Sequence, residues 1–222
     1  MNTIKHFADF FLHLDIYLGA AIRTYGTWTY GILFGIIFCE TGFVVTPFLP
    51  GDSLLFAAGS FAAAGALDPR VLFLLLASAA VGGDNLNYWI GRYIGPKIFQ
   101  YEGSKFFNRE HLGKTHRFYE KYGTKAIIIA RFMPIIRTFT PFIAGIGSMT
   151  YLRFFLYDLF GGALWISVFV FGGYYFGTLP AVRRNFTLVI MAIVVISVMP
   201  AVIEIVRHAR TGEKNHAPTE KI

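Results

Sequence analysis

Long apolar runs recur along the whole chain and leave too few charged positions to cover a water-soluble surface. They lie near residues 30–45, 53–66, 71–81, 126–136, 159–179 and 186–203, and they lack the alternation of apolar and polar residues that marks a strand. Hydrophobic residues make up 55% of the 222 residues and charged residues only 15%, which is unlike a soluble domain of this size. The sequence therefore predicts an all-α polytopic membrane protein.

The N-terminal stretch, up to about residue 25, has a different pattern. Aromatic residues and leucines recur at spacings of three and four from Phe7 onward, while Asp9, His13 and Asp15 interrupt the run. This pattern is typical of an amphipathic helix at the membrane interface, and it differs from that of a cleaved signal peptide. A full crossing by residues 7–25 is the alternative.

Positive charge is concentrated between the apolar runs. The chain has a net charge of +7, and the amphipathic loop 96–125 carries seven Lys or Arg residues against three Glu residues. Basic loops favour the cytoplasmic side of a membrane. We therefore expect this loop and the C-terminus to be cytoplasmic, residues 213–222 to form a disordered tail, and nucleic acid not to be a partner.

Two short motifs occur twice in the same order. TPFLPG at 46–51 is matched by TPFIAG at 140–145, and each copy precedes a Gly-Gly pair, a Trp and a second glycine motif, GRYIG at 91–95 or GYYFG at 173–177. This order indicates an internal duplication within a single membrane domain, residues 1–212. Its parts are repeat one at about 26–95, the loop 96–125, repeat two at about 126–178 and a final helix at 185–206.

The apolar arms around the first motif of each repeat are too short to cross a membrane, because a crossing helix needs about 20 residues. The arms are 30–45 and 53–66 in repeat one, and about 126–136 and 138–149 in repeat two. Pro134 and Pro141 disfavour a continuous helix in the second pair. We expect two facing re-entrant helical hairpins, and the single crossing at about 71–95 would make them an inverted repeat. Proline kinks in ordinary membrane helices are the alternative.

Four charged residues fall at or near the breaks in these arms: Glu40, Asp52, Arg131 and Arg137. A charge that faces lipid is costly, so these side chains should point inward. Burial disfavours an ionised carboxylate and a nearby arginine favours it, so Glu40 and Asp52 are candidates for proton coupling. The planar guanidiniums of Arg131 and Arg137 are suited to bind phosphate. The alternative is a static network, in which two acids and two arginines neutralise one another.

Other polar or helix-breaking residues are candidates for lining the same cavity, with Asp158 as a weaker one. Asp84, Asn85 and Asn87 have bonding between helices as an equal alternative, and Trp28, Trp89 and Trp165 are expected to be packing or interfacial anchors. Phosphate-binding, zinc-protease and nucleophile-elbow motifs are missing from the sequence, so we expect no enzymatic activity, no cofactor and no metal. The candidate cavity-lining residues are Pro47, Pro50, Asp84, Asn85, Asn87, Pro134 and Pro141.

Four segments resemble the DedA family of bacterial inner-membrane proteins, which belongs to the SNARE-associated or VTT-type superfamily. They are FCETGFVVTPFLPGDSLLFAAG, GDNLNYWIGRYIG, HRFYEKYGTKAIIIARFMPIIRTFTPFIAGIG and VIEIVRHAR, within about residues 7–210. The resemblance implies an inner-membrane location and lipid transport linked to the proton-motive force. It also implies a proton-linked role for Glu40 and Asp52, and an essential, phosphate-facing role for Arg131 and Arg137.

The combined expectation is a proton-coupled flippase that moves a phosphate-bearing lipid, with undecaprenyl phosphate as the first candidate, from the outer to the inner leaflet. A flippase or scramblase for phosphatidylethanolamine, a small-cation/proton antiporter and a membrane scaffold without transport activity are the alternatives. The expected partners are thus a membrane lipid and protons, and the sequence leaves the choice of lipid and the oligomeric state open.

Overall fold

A computed structural model describes residues 14–43, 51–98, 123–147, 149–197 and 199. Every regular element in these ranges is helical, which confirms the all-α prediction for this part of the chain. The α-helices are α1 (Leu14–Tyr25), α2 (Trp28–Gly42), α3 (Gly51–Ala63), α4 (Pro69–Ile98), α5 (Ala126–Ala130), α6 (Pro134–Ile146), α7 (Tyr151–Phe176), α8 (Pro180–Arg184) and α9 (Phe186–Ser197).

Two of these helices are long and apolar enough to cross a membrane. They contain the segments Pro69–Ile94 in α4 and Tyr151–Phe176 in α7. By contrast, α2 has 15 residues, and α3 and α6 have 13 each, so each rises only about 20 Å along its axis. Most of the predicted loop 96–125, the end of the predicted helix 185–206 and the tail 213–222 lie outside the described residues.

The break in the second pair of arms lies at 131–133, and Pro134 begins α6. A proline is well tolerated in the first turn of a helix, because the N–H group that it lacks would have no partner there. Pro141 lies inside α6, and the helix continues beyond it to Ile146. The prediction that Pro141 interrupts the helix is therefore wrong. Pro141 removes one backbone hydrogen bond, while α6 packs along much of α4.

The short helices pack on the long ones in a crossed arrangement. The first short helix of each predicted repeat lies on the long helix of its own repeat, α2 on α4 and α5 on α7. The second short helix lies on the long helix of the other repeat, so that α3 packs along α7 and α6 packs along α4. The two long helices also contact each other.

Close contact between α3 and α7 depends on two glycines. A Cβ atom on Gly173 would overlap the carbonyl oxygen of Phe56, and one on Gly59 would overlap the carbonyl oxygen of Val170. Small residues allow membrane helices to approach until their backbones touch. Gly173 is the first residue of the repeated motif GYYFG, so this glycine of the motif serves helix packing.

The crossing of α4 with α6 has the same construction. A Cβ atom on Gly91 would overlap the carbonyl oxygen of Phe142, and one on Gly145 would overlap the carbonyl oxygen of Tyr88. Gly91 opens the matching motif GRYIG, and Gly145 closes TPFIAG. Gly91 and Gly173, which open the second motif of each repeat, thus lie at corresponding helix crossings, whereas Gly51, the counterpart of Gly145, lies against Glu40.

The first short helix of each predicted repeat packs against the Gly-Gly pair of the same repeat. A Cβ atom on Gly83 of α4 would overlap the hydroxyl of Thr41 on α2. A Cβ atom on Gly161 of α7 would lie 3.3 Å from the Cα atom of Ile128 on α5 and 3.4 Å from the side chain of Arg131. The second pair therefore leaves the space in which a buried arginine lies.

We expect Gly173→Ala to destabilise the fold, because its methyl group would force α3 and α7 apart. Overpacking of this kind costs about 1–3 kcal/mol and occasionally more. Gly35→Ala is the matched control, since the added Cβ at this helical position would lie more than 4 Å from every described atom apart from its chain neighbours and its own helix backbone. Thermal unfolding in detergent should show a lower Tm for Gly173→Ala only. Equal Tm values for the two variants would contradict the proposed role of this contact.

The start of α4 is fixed by Asp68. Its Oδ1 atom accepts hydrogen bonds from the N–H groups of Arg70 at 2.8 Å and Val71 at 3.1 Å, and its own N–H group donates to the hydroxyl of Tyr30 at 2.6 Å. The N–H groups of Val71 and Arg70 hold the pKa of this exposed carboxyl below its usual range. Asp68 is therefore an ionised acid outside the core.

The described part of the predicted N-terminal amphipathic helix is α1, which packs on α3. Leu14 and Leu18 are buried in the core, whereas Ile16 and Tyr17 are exposed. This segment thus has one packed face and one open face. Residues 7–13 of the predicted helix lie outside the described residues.

Candidate functional site: two buried arginine clusters

The first cluster is centred on Arg137, whose guanidinium reaches from α6 to the facing ends of α2 and α3. Its Nη1 atom donates to Asp52 Oδ1 at 3.0 Å, and its Nη2 atom donates to Glu40 Oε1. Glu40, Asp52 and Arg137 are all buried. One arginine of the second predicted repeat thus holds together two acids of the first.

The two acids occupy opposite ends of their helices. Glu40 lies in the last turn of α2, and Asp52 lies in the first turn of α3. The dipole of a helix stabilises a negative charge at its N-terminus but not at its C-terminus, so α3 supports the charge of Asp52 and α2 does not support that of Glu40. A Cβ atom on Gly51 would overlap the Glu40 carboxylate, and a glycine here therefore lets the two ends meet.

Asp52 has further hydrogen bonds that Glu40 lacks. Its Oδ1 atom accepts from Trp165 Nε1 at 2.9 Å, and its Oδ2 atom accepts from Ser197 Oγ. The Arg137 guanidinium also lies 4.6 Å from the centre of the Trp165 ring, a favourable distance for a cation and an aromatic face. Glu40 Oε2 has no hydrogen-bond partner among the described residues. The cluster thus contains one fully hydrogen-bonded acid and one partly bonded acid.

The second cluster is centred on Arg131, in the turn between α5 and α6. Its Nη2 atom donates to both Asp84 Oδ2 on α4 and Asp158 Oδ1 on α7. All three side chains are at most 2% exposed. Arg131 Nε and Nη1 have no hydrogen-bond partner within the described ranges.

The two clusters together contain four carboxylates and two guanidiniums. If every group were ionised, this region would carry two more negative than positive charges in a low-dielectric environment, which is costly. The network of two acids and two arginines that the sequence offered as an alternative is larger among the described residues, because Asp84 and Asp158 join it. The described acids of the two clusters therefore outnumber the described arginines.

Two amide side chains connect the helices around these clusters. Asn87 Nδ2 donates to the carbonyl oxygens of Thr138 at 2.7 Å and Thr41 at 3.3 Å, and so ties α4 to α6 and α2. Asn85 accepts a hydrogen bond from the hydroxyl of Tyr151 at 2.8 Å. Both amides therefore bond to neighbouring helices, which is one of the two roles that the sequence predicted for them.

The other predicted residues lie in varied surroundings. Pro47 and Pro50 lie outside the described residues, while Pro134 begins α6 and Pro141 is buried within it. Trp28 and Trp89 are 78% and 36% exposed, whereas Trp165 is buried. The described residues contain no group of three side chains that could hold a metal ion.

The sequence analysis missed the contacts of Trp165 and Ser197 with Asp52, and it did not pair Asp84 and Asp158 with an arginine. A signal for the two acids was present, because each interrupts an apolar span and a buried acid needs a cationic partner. No comparable signal distinguishes Trp165 from a packing tryptophan.

Comparison with known proteins gives the family of this chain. Residues 49–175 match the VTT domain, and this range contains five of the six charged residues in the two clusters. The chain belongs to the VTT-domain, or DedA, family. Among its relatives, the protein named DedA of Escherichia coli is 50% identical over 216 residues, which cover 96% of this chain and 99% of the relative.

Two more distant relatives are named as membrane proteins. An uncharacterized membrane protein of Mycobacterium tuberculosis is 44% identical over 190 residues, covering 85% of this chain and 82% of the relative. Inner membrane protein YqjA of Escherichia coli is 34% identical over 151 residues, or 68% and 69% of the two chains. No solved structure matches this chain. Together with the two helices that are long and apolar enough to cross a membrane, these relatives identify a membrane protein of the DedA family.

Proposed function

We propose that this DedA-family chain is a proton-coupled lipid transporter, a flippase that moves a phosphate-bearing lipid across the bacterial inner membrane. The observation that carries this proposal is the buried Arg137, which is shared by acids at the ends of two short helices. Broken helices with charged groups at their ends are the recurrent substrate and ion sites of secondary transporters. Undecaprenyl phosphate, recycled as an envelope carrier, is the first candidate substrate. The proposal involves no catalytic chemistry and no cofactor.

In this proposal Glu40 is the principal proton carrier, and Asp52 keeps Arg137 in place. Asp52 accepts hydrogen bonds on both oxygens, from Arg137, Trp165 and Ser197. Glu40 Oε2 has no hydrogen-bond partner among the described residues, so a proton can bind there without breaking a hydrogen bond between described residues. A proton on Glu40 would cancel the charge that attracts Arg137 Nη2.

The arginines then become available to a phosphate group. A guanidinium can make two parallel hydrogen bonds to phosphate oxygens. Arg131 Nε and Nη1 and Arg137 Nε have no hydrogen-bond partner in the described part of the chain, so both side chains have spare donors. Protonation of a neighbouring acid would weaken its ion pair with the arginine, and the phosphate could then take the place of the carboxylate.

The proposed architecture is an inverted repeat of two facing re-entrant hairpins, made by α2 with α3 and by α5 with α6. The crossed packing of α3 on α7 and α6 on α4, with a glycine pair at each crossing, supports it. The proposed orientation places the basic loop 96–125 and the C-terminus in the cytoplasm. The lipid headgroup would cross between the hairpin ends while its tails stay in the bilayer.

A small-cation/proton antiporter is the second candidate, because four buried carboxylates outnumber two arginines and an inorganic cation could supply the missing charge. Phosphatidylethanolamine is the alternative lipid substrate.

Reconstitution in proteoliposomes tests these candidates. Labelled undecaprenyl phosphate and labelled phosphatidylethanolamine are each followed between leaflets with and without a pH gradient, and a pH-sensitive dye reports proton movement. We expect undecaprenyl phosphate to move only with protein and faster with the gradient, because protonation frees the arginines. Cation-dependent dye signals without lipid movement would contradict the flippase and support the antiporter.

A further inference from the structure

Asp84 and Asp158 share a single nitrogen atom of one arginine. Both carboxylates accept from Arg131 Nη2, one from α4 and the other from α7. Acceptors that bond to the same nitrogen lie close to each other. Two buried carboxylates in such a position repel strongly when both are ionised, and one proton shared between them removes the repulsion.

The Arg137 cluster lacks this arrangement. There the two acids accept from different nitrogens, and Asp52 has donors in Trp165 and Ser197 as well. At Arg131, by contrast, each acid has an oxygen without a partner among the described residues, Asp84 Oδ1 and Asp158 Oδ2. A buried oxygen without a donor is costly, and a proton is the smallest ligand that can supply the missing bond.

Among the described residues, two arginines act on this pair of acids. Arg131 from the turn before α6 contacts both acids, and Arg137 from α6 acts on Asp84 at longer range. Arg137 is itself paired with Glu40 and Asp52. The Arg131 cluster therefore has two negative groups against one positive group that is fully its own.

We propose that Asp84 and Asp158 form a proton-binding site that holds one shared proton between the two membrane-spanning helices. This site is separate from the one at Glu40, and it does not depend on whether the protein moves lipid. Loss of its proton would place two like charges between α4 and α7 with only one arginine beside them. Proton release would therefore weaken the contact between the long helices.

Infrared spectroscopy tests this proposal without a transport assay. The purified full chain in phosphatidylcholine bilayers is prepared with carboxyl-labelled aspartate, which shifts the C=O band of a protonated aspartic acid but not that of a glutamic acid. We expect a label-sensitive band from a protonated aspartic acid at neutral pH. If the wild-type protein lacks such a band, both acids are ionised and the proposal is overturned.

Single substitutions assign the band. Asp84→Asn and Asp158→Asn should each abolish it, because the one remaining carboxylate then pairs with Arg131 alone and has no reason to hold a proton. Asp68→Asn is the control and should leave it unchanged, since the Asp68 carboxyl is exposed and ionised. A band that persists in both single variants would place the proton elsewhere and overturn the proposal. If one of the two variants does not fold, the other still assigns the band, and a wild-type protein without the band overturns the proposal in either case.

Discussion

Glu40→Gln should abolish the acceleration of lipid transport by a pH gradient while leaving the protein folded. Glutamine has nearly the shape of a protonated glutamic acid, and its carbonyl oxygen can still accept from Arg137 Nη2. The site would then remain in its protonated form, whatever the pH on either side of the membrane. The measurement is the ratio of transport rates with and without a gradient, which should fall to about one.

Asp52→Asn separates proton coupling from positioning in the same assay. The amide nitrogen of asparagine cannot accept a hydrogen bond, so Arg137, Trp165 or Ser197 would lose an acceptor. An unsatisfied buried donor costs about 1–3 kcal/mol, and we expect this variant to be less stable than Glu40→Gln. Asp68→Asn is the control for both measurements, since Asp68 lies outside the clusters. A gradient response that survives in Glu40→Gln would exclude Glu40 as the proton carrier.

Arg137→Gln should cause the largest loss of stability among the charge substitutions. It leaves Glu40 and Asp52 buried without a cation, and removal of one partner from a buried ion pair costs about 3–5 kcal/mol. The double variant Glu40→Gln, Arg137→Gln should recover only part of this, because Asp52 remains charged. The triple variant that also contains Asp52→Asn should recover most of it. Chemical unfolding of the purified proteins measures all three, with the exposed Arg70→Gln as control.

The transport activities of these variants distinguish charge balance from phosphate binding. Arg137→Lys keeps the positive charge but loses the planar fork, so we expect a folded protein with strongly reduced lipid transport. The triple neutral variant should be folded and inactive. If the triple variant transported lipid at the wild-type rate, Arg137 could not be a phosphate ligand.

The positions of the two long helices were predictable because a helix that crosses a membrane needs a long apolar segment, which is visible in the sequence. The predicted crossing 71–95 lies within α4 (Pro69–Ile98), and most of the predicted apolar run 159–179 lies within α7 (Tyr151–Phe176). The first short arm of repeat two was predicted to end at about residue 136, whereas α5 ends at Ala130. Two prolines lie in that region, and propensity cannot tell a proline that starts a helix from one that a helix tolerates.

The candidate site was predictable in its residues but not in its pairing. Glu40, Asp52, Arg131 and Arg137 were identified because charges near breaks in apolar segments are conspicuous. Which acid meets which arginine depends on how the short helices cross the long ones. A glycine pattern marks where such crossings occur, but it does not say which helix is the partner, so the separation into two clusters required the structure.

The long sequence separation of the Arg137 contacts also affects how the protein is made. Arg137 follows Asp52 by 85 residues and Glu40 by 97, so at about 5–20 residues per second a ribosome needs roughly 4–20 s to supply it. During this interval the two acids reside in or near the membrane without their cation. Until Arg137 is made, the two acids must therefore be protonated, remain in water, or lie against the insertion machinery. The protonation of Glu40 and Asp52 thus matters during synthesis and membrane insertion, before any substrate can bind.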